Sequence, residues 1–330
     1  MLTHVSFVPP QASSFAGEVD ALTLWLVGMC TFFTVLIAVM VIYFAVRYRR
    51  RHPDEVGSRF DHSTMLEVIW TSIPLLIVLV TFVWGAKVYF RLYRPPTGAK
   101  VYYVTGKQWM WKTQHPTGQR EINELHLPVG EPVKLTLTSE DVIHSFFVPA
   151  FRAKVDVVPG RYTTMWFTPT KPGRYHLFCA EYCGTEHSRM VGWVTVMERG
   201  DYERWLASVP VAVTPEEQGG KLFTDLSCQS CHADGNRNGP SLRNLYGTEV
   251  KLAGGGRAIA DEDYLRESIL DPARKVVDGW QAEMPSFRGK VDEQAILNLI
   301  SYIKGLTGSE PPAKSESAEP QAAVAGSESR

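Results

Sequence analysis

The sequence predicts a multidomain membrane protein: a two-helix transmembrane hairpin, an all-β sandwich and a small all-α domain, in that order. Three observations predict it. Two long runs near the start carry no charge. Residues 101–196 alternate β-branched or aromatic residues with turn signals, and beyond residue 218 apolar residues recur at helical spacing. The expected divisions are an outer segment (1–20), the hairpin (21–90), the sandwich (95–207), a linker (208–217), the helical domain (218–307) and a disordered tail (308–330) rich in Ser, Glu, Pro and Ala.

The uncharged runs cover residues 21–46 and 68–86. Each is long enough to cross ~30 Å of hydrocarbon as a helix. Core helices of a soluble protein would show polar positions every turn, and these runs do not. Pro74 falls inside the second and is expected to kink it. Cys30, alone in the first run, reads as a small buried hydrophobe. Arg47, Arg49, Arg50, Arg51 and Arg59 lie between the runs, while residues 1–20 hold no Lys or Arg. The connection is therefore expected in the cytoplasm, with both termini on the outer side of the membrane. No basic leader with a cleavage site opens the sequence, so no removed signal peptide is expected.

Segments such as "VYYVTG", "EPVKLTLTS", "RYTTMWFTP", "GRYHLFC" and "GWVTVME" predict strands of an antiparallel sandwich or barrel. "DYERWLASV" predicts a helix closing it. Later, "EEQGGKLFTDL", "DEDYLRESILD" and "DEQAILNLISYIKGL" predict helices, with Ile296, Leu299, Ile300 and Ile303 on one face of the last. A net charge of −1 gives no support for a nucleic-acid partner.

Two close cysteine pairs in a chain of 330 residues read as chemistry, not as a disulfide framework. "CQSCH", residues 228–232, is the attachment pattern of a c-type haem: Cys228 and Cys231 form the thioethers and His232 is an axial ligand. A redox dithiol would not require the histidine. After Val211 the chain has one His, His232, and one Met, Met284, which makes Met284 the second axial candidate. A His/Met pair raises the reduction potential toward values suited to electron transfer. Met284 as plain core filler is the competing reading.

"CAEYCGTEHSRM", residues 179–190, holds the other pair. Zinc takes four ligands in a closed tetrahedron. A blue-copper site takes two His, one Cys and a weak axial Met. This loop offers Cys179, Cys183, His187 and Met190, and His144 in "EDVIHSFFVP" is placed to join from an upstream strand. These donors are too many for one copper and suit two copper ions bridged by both thiolates.

The two-helix anchor, "EVIWTSIP", "GKQWMW", "DVIHSFFVP", "VPGR" and "CAEYCGTEHSRMVG" resemble subunit II of haem–copper cytochrome c oxidases. The resemblance covers roughly residues 20–205. The "CQSCH…MPSF" domain resembles the class I cytochrome c fused to subunit II in caa3-type oxidases. The resemblance implies a cupredoxin-like sandwich holding a binuclear CuA centre, with His144, Cys179, Cys183, His187 and Met190 as side-chain ligands. It implies that Glu181 gives copper its backbone carbonyl and helps hold Mg or Mn at the border with subunit I.

Trp109 matches the aromatic through which the family passes electrons to CuA; a core aromatic is the alternative, and Trp111 is read as one. "WMWKTQHPTGQR" departs from the family's more acidic pattern. Glu67 matches a carboxylate at a proton-channel entry, against the alternative of a Thr64/Glu67 capping box. Asp141 is read either as a hydrogen-bond acceptor behind the copper His or as solvated surface. His115, His126 and His176 are read as ordinary strand or loop residues.

The implied function is an electron relay. A soluble or membrane-bound donor such as a cytochrome c reduces covalent haem c, CuA follows, and subunit I reduces O2 to water in a proton-pumping complex that includes subunit III. The uncharged runs contain no His, so the oxygen site belongs to a partner subunit. A membrane-tethered electron-transfer cytochrome with a non-catalytic sandwich is the alternative. A quinol oxidase subunit would lack the copper ligands and haem motif, and a nitrous-oxide-type reductase would lack the anchor.

Overall fold

The computed structural model describes residues 8–57, 62–210, 213–233 and 238–306; the expected tail and Arg59 lie outside them. Helix α1 spans Ala16–Arg47 and α2 spans Thr64–Tyr93, each extending past its uncharged run at both ends. Helix α2 continues through Pro74 as one element. At ~1.5 Å rise per residue both helices exceed a ~30 Å hydrocarbon core. Their apolar side chains, Leu24, Ile42, Leu76 and Val80 among them, are exposed around the hairpin. Cys30 is exposed as well, contrary to the expected burial, because among the described residues nothing packs over that face of α1. The capping-box expectation is also corrected. Ser63 caps α2, its Oγ accepting from the Leu66 N–H at 3.5 Å, which places Glu67 one position past the box. At the other end of the hairpin Trp25 donates Nε1–H to Thr81 at 2.9 Å, and Glu18 pairs with Arg91.

The sandwich comprises β1 (Lys100–Lys107), β2 (Met110–Gln114), β3 (Arg120–Ile122), β4 (Glu124–Pro128), β5 (Val133–Ser139), β6 (His144–Val148), β7 (Ala153–Val157), β8 (Thr163–Phe167), β9 (Gly173–Cys179) and β10 (Val191–Met197). They form two five-stranded sheets, β3-β2-β1-β5-β8 and β4-β10-β9-β6-β7. The expected antiparallel arrangement holds for most pairs, but β1 with β5 and β4 with β10 run parallel. Both parallel pairs join strands distant in sequence, a pairing that local turn signals cannot report. Leu125, Leu127, Leu135, Leu137, Phe146, Phe167 and Leu177 fill the space between the sheets with no exposed surface. They form one cluster with Phe15 and Ala12 from the segment before α1.

That segment binds the sandwich to the end of the hairpin. Ala12 donates to Ala150 O at 3.0 Å and accepts from Thr170 at 2.9 Å. Phe15 meets Trp166 edge to face at 4.5 Å. Arg152 holds Asp20 through Nε at 2.7 Å and the carbonyls of Pro9 and Pro149 at 2.8 and 2.7 Å. The sandwich is thus fixed to the anchor by more than its covalent connection.

Helix α3 (Arg199–Ser208) closes the sandwich, and α4 (Pro215–Asp225) opens the next unit. Thr214 and Glu217 form a reciprocal capping box, so α4 begins inside the segment expected to be linker. The short α5 (Gln229–His232), the ribbon β11 (Glu249–Lys251) with β12 (Arg257–Ile259), α6 (Glu262–Leu270) and α7 (Glu293–Gly305) complete it. Asp261 and Asp292 cap α6 and α7. Ile296, Leu299, Ile300 and Ile303 are buried together, as their spacing predicts.

Candidate metal centre and haem pocket

Antiparallel pairing of β6 with β9 sets Phe146 opposite Cys179, which brings His144, at the start of β6, beside the end of β9. The loop 180–190 then returns to β10, closed by Cys179 N–H donating to Met190 O at 3.2 Å. Every donor singled out in the sequence converges there. The Cys179 and Cys183 sulfurs are 3.8 Å apart. His144 Nδ1 is 3.9 Å from the Cys179 sulfur, and His187 Nδ1 is 3.4 Å from that of Cys183. Met190 Sδ is 3.8 Å from Cys183, and Glu181 O is 3.2 Å from Cys179. His144, Cys183 and Met190 are buried, His187 half-buried, and the Glu181 side chain exposed.

The donor set fits soft metal ions. The sulfur separation is far beyond the ~2 Å of a disulfide, and one donor atom each from His144, Cys179 and Cys183 falls within a 4.8 Å group. Burial opposes ionisation at both thiols. At Cys179, His144 and backbone groups of Ser145 and Glu181 overcome it and hold the thiol below its usual range. The Cys183 thiol is pushed up by burial and by the charge beside it on Cys179.

Asp141 shapes the site from behind, as one of its two sequence readings had it. Its Oδ1 accepts from His144 Nε2 at 2.8 Å, and its Oδ2 accepts from Gln108 N–H at 2.7 Å. Burial raises the Asp141 carboxyl, but these hydrogen bonds outweigh it and hold the group below its usual range. With Nε2 protonated toward Asp141, the Nδ1 lone pair of His144 faces the sulfurs. Trp109 is half-buried and donates Nε1–H to Cys183 O at 3.2 Å, beside Gln108 Nε2 at 2.8 Å on the same carbonyl. Trp111 is a core aromatic, fully buried, with its ring 5.9 Å from that of His144. Glu67 is exposed at the end of α2 away from the sandwich and takes no part in the cluster.

Three residues of this site escaped the sequence reading. Gln108 bridges Asp141 and the 180–190 loop. Gly184 has φ +114, and a Cβ there would lie 2.9 Å from Gln108 Nε2. Gly106 backs onto the imidazole, where a Cβ would lie 2.8 Å from His144 Cδ2. Isolated glycines in "VTGKQW" and "YCGTE" carry a signal only once their neighbours in space are known. His115 and His126 are also less ordinary than expected. They flank Glu121, with His115 Nε2 at 2.7 Å, and His115 Nδ1 accepts from Tyr202 of α3 at 3.1 Å. Burial raises the Glu121 carboxyl, but hydrogen bonds from His115 and His126 bring it down to about 2.

In the helical unit, Cys228, Cys231, His232 and Met284 line one cavity of about 620 Å³ together with Phe223, Leu242, Tyr264, Leu265, Phe287 and Leu299. His232 donates Nδ1–H to Pro240 O at 2.8 Å, which leaves Nε2 with its lone pair available. The "AEMPSF" segment is irregular, as expected, and carries Met284 to the cavity wall. An apolar chamber with two thiols and an oriented imidazole suits a covalently attached haem.

Comparison with known proteins agrees with this architecture. Residues 3–87 match the family described as cytochrome c oxidase subunit II, transmembrane domain, and residues 119–197 match its periplasmic domain. Residues 214–303 match the family described as cytochrome c oxidase, cbb3-type, subunit III. Cytochrome c oxidase subunit 2 of Alkalihalophilus pseudofirmus is 30% identical over 318 residues, 92% of this chain and 91% of that one. The Synechocystis subunit 2 is 28% identical over 255 residues, 63% of this chain and 77% of its own. The periplasmic domain of subunit II of the Bradyrhizobium japonicum cytochrome oxidase is 29% identical over 35% of this chain and 96% of that one, with a TM-score of 0.34. Anchor, cupredoxin-like sandwich and cytochrome c domain define a membrane subunit of a haem–copper oxidase. The chain belongs to the cytochrome c oxidase subunit II family, in the form that carries a fused cytochrome c domain.

Proposed function

We propose that this chain is the electron-entry subunit of its oxidase, receiving electrons at a haem c and handing them through a binuclear copper centre to subunit I. When bound, these groups supply reversible one-electron chemistry at nearly fixed geometry. Cys228 and Cys231 attach the haem, with His232 and Met284 as axial ligands. His144, Cys179, Cys183, His187 and Met190, with the carbonyl of Glu181, hold the copper pair. The units at work are the hairpin (21–90), the sandwich (95–207) and the haem domain, expected at 218–307 and opened by α4 from Pro215. Oxygen reduction itself belongs to subunit I.

The observation that carries this reading is the convergence of three further side-chain donors, His144, His187 and Met190, on the Cys179–Cys183 pair in a chain that also builds a thiol-lined chamber. A tethered cytochrome with a purely structural sandwich would have no reason to bury that cluster. The remaining assignments belong to the same proposal. The exposed Glu181 carboxylate is free to share Mg or Mn with subunit I. Trp109, bonded to the copper loop from the protein surface, is a route for electrons arriving from outside. Glu67, no longer needed as a cap, is available to feed protons toward subunit I from the cytoplasm. The termini lie on the periplasmic side, subunit III completes the pump, and a soluble or membrane-bound cytochrome c or similar protein is the donor.

A metal and haem count on the purified complex tests this. Two coppers in this chain for each haem c is the expected result, and none would leave the tethered-cytochrome alternative.

A further inference from the structure

Strands β1 and β5 are buried on both faces. Tyr102, Val104, Leu135 and Leu137 point into the sandwich, while the alternate residues Tyr103, Thr136 and Thr138 are also buried, on the opposite face. That outer face is covered by the haem domain. Tyr103 and Tyr162, each 5% exposed, belong to the same apolar cluster as Leu265, Leu297 and Ile300. Polar contacts frame the apolar centre. The Tyr162 N–H donates to Asp263 at 2.7 Å, and Arg266 donates to Gly160 O at 2.7 Å. Lys134 lies 3.6 Å from Glu262, and Arg120 donates to Gln218 at 2.9 Å.

Helices α6 and α7 therefore work on two sides. Tyr264, Leu265 and Leu299 line the haem chamber, while Glu262, Asp263, Arg266 and Gln294 hold the sandwich. The connection between the domains is short. Helix α3 ends at Ser208 and α4 begins at Pro215, leaving six residues that reach at most ~20 Å when extended. Helix α3 itself is pinned to the sandwich by Tyr202, which bonds Tyr102 at 3.0 Å, and by Trp205, stacked 4.3 Å from His126.

We infer that the haem domain works from this dock on the outer face of β1 and β5, and does not swing between a donor and the copper centre. The inference rests on the relay reading above and concerns where the tethered domain stands while electrons pass. A flexible tether would raise only the local concentration of the haem. A buried aromatic interface with ionic edges holds one position, and interfaces of that kind are the exception to free domain motion. The polar side chains at the edge of the dock, Glu262, Asp263, Arg266 and Gln294, are not among those lining the haem chamber, although the apolar cluster is shared.

Carbodiimide coupling of Lys134 to Glu262 in the intact complex tests this directly, with mass spectrometry to separate that link from a Glu262–Lys304 product. The link is expected to form, and the linked complexes are expected to pass electrons from haem to copper at the native rate after rapid photoreduction. Failure to form the link, or loss in linked complexes of a transfer that unlinked complexes perform, overturns the fixed dock. A double variant, Tyr103→Ala with Lys134→Glu, is expected to slow that transfer roughly tenfold with the copper spectrum retained; an unchanged rate there also overturns it. Formation of the link in a complex whose haem never reduces the copper would strike the relay and leave the docking surface standing.

Discussion

The Asp141 carboxylate accepts the Nε2–H of His144 at 2.8 Å, and this one bond decides which ring nitrogen faces the sulfur pair. Sequence spacing had left Asp141 divided between that role and a solvated surface residue. In the structure it also receives the Gln108 N–H, so the same carboxylate orients the ring and braces the strand end next to Trp109.

Asp141→Asn is therefore expected to weaken copper retention by roughly 10–100-fold, because an amide no longer fixes the imidazole in the productive tautomer. Competition with a copper chelator measures it. Retention equal to the parent would show that β6 alone orients His144.

Cys183 touches Cys179, His187 and Met190, so it has no substitute in the cluster. Replacing it with Ser should abolish the near-infrared absorption of a mixed-valence copper pair while leaving the haem spectrum in place. A surviving two-copper spectrum would remove the bridged assignment.

Met284→Ala, with the haem still attached, is expected to lower the haem potential and slow transfer into copper, since thioether ligation favours the reduced iron. Redox titration of the complex checks this. An unchanged potential would reassign Met284 as wall of the chamber.

Gly184 sits at φ +114 against Gln108. Gly184→Val should cost about 1–3 kcal/mol through backbone strain and crowding. The loss should appear as a lower thermal midpoint together with reduced copper content. A neutral result would mean that the loop has room to shift.

Two carboxylates set the acid limit of the assembly. Glu262, between the domains, is raised by burial but brought down to about 2 from 4.5 by Lys304, Lys134 and Tyr246. Glu121 is likewise held at about 2 from 4.5, under α3. A depressed folded-state pKa contributes stability that is complete above the unfolded value and disappears as pH falls through the folded one. The loss should run between pH 4.5 and about 2, on the order of 3 kcal/mol per group. Proteolysis in the 209–214 connection as a function of pH would follow it. Resistance unchanged down to the acid end would place the holding forces elsewhere.

The metal loop was legible because its donors lie within twelve residues and only His144 arrives from outside. The haem motif was legible for the same reason. Strands β2, β3, β4 and β7 were not, since they are three to five residues long and β2 buries polar side chains, Thr113 and Gln114. Parallel pairing of β1 with β5 depends on contacts far apart in sequence. The docking face was invisible for a similar reason. Tyr103 in "VYYV" reads as one strand residue among others until α7 is seen against it. Ser63 displaced Thr64 as cap by one position, the usual margin of uncertainty at a helix end.

Electron paramagnetic resonance of the oxidised intact complex tests the central claim most directly. The account predicts the hyperfine pattern of one unpaired electron spread over two equivalent copper nuclei. Splitting from a single copper nucleus, or no copper signal at all, would contradict it.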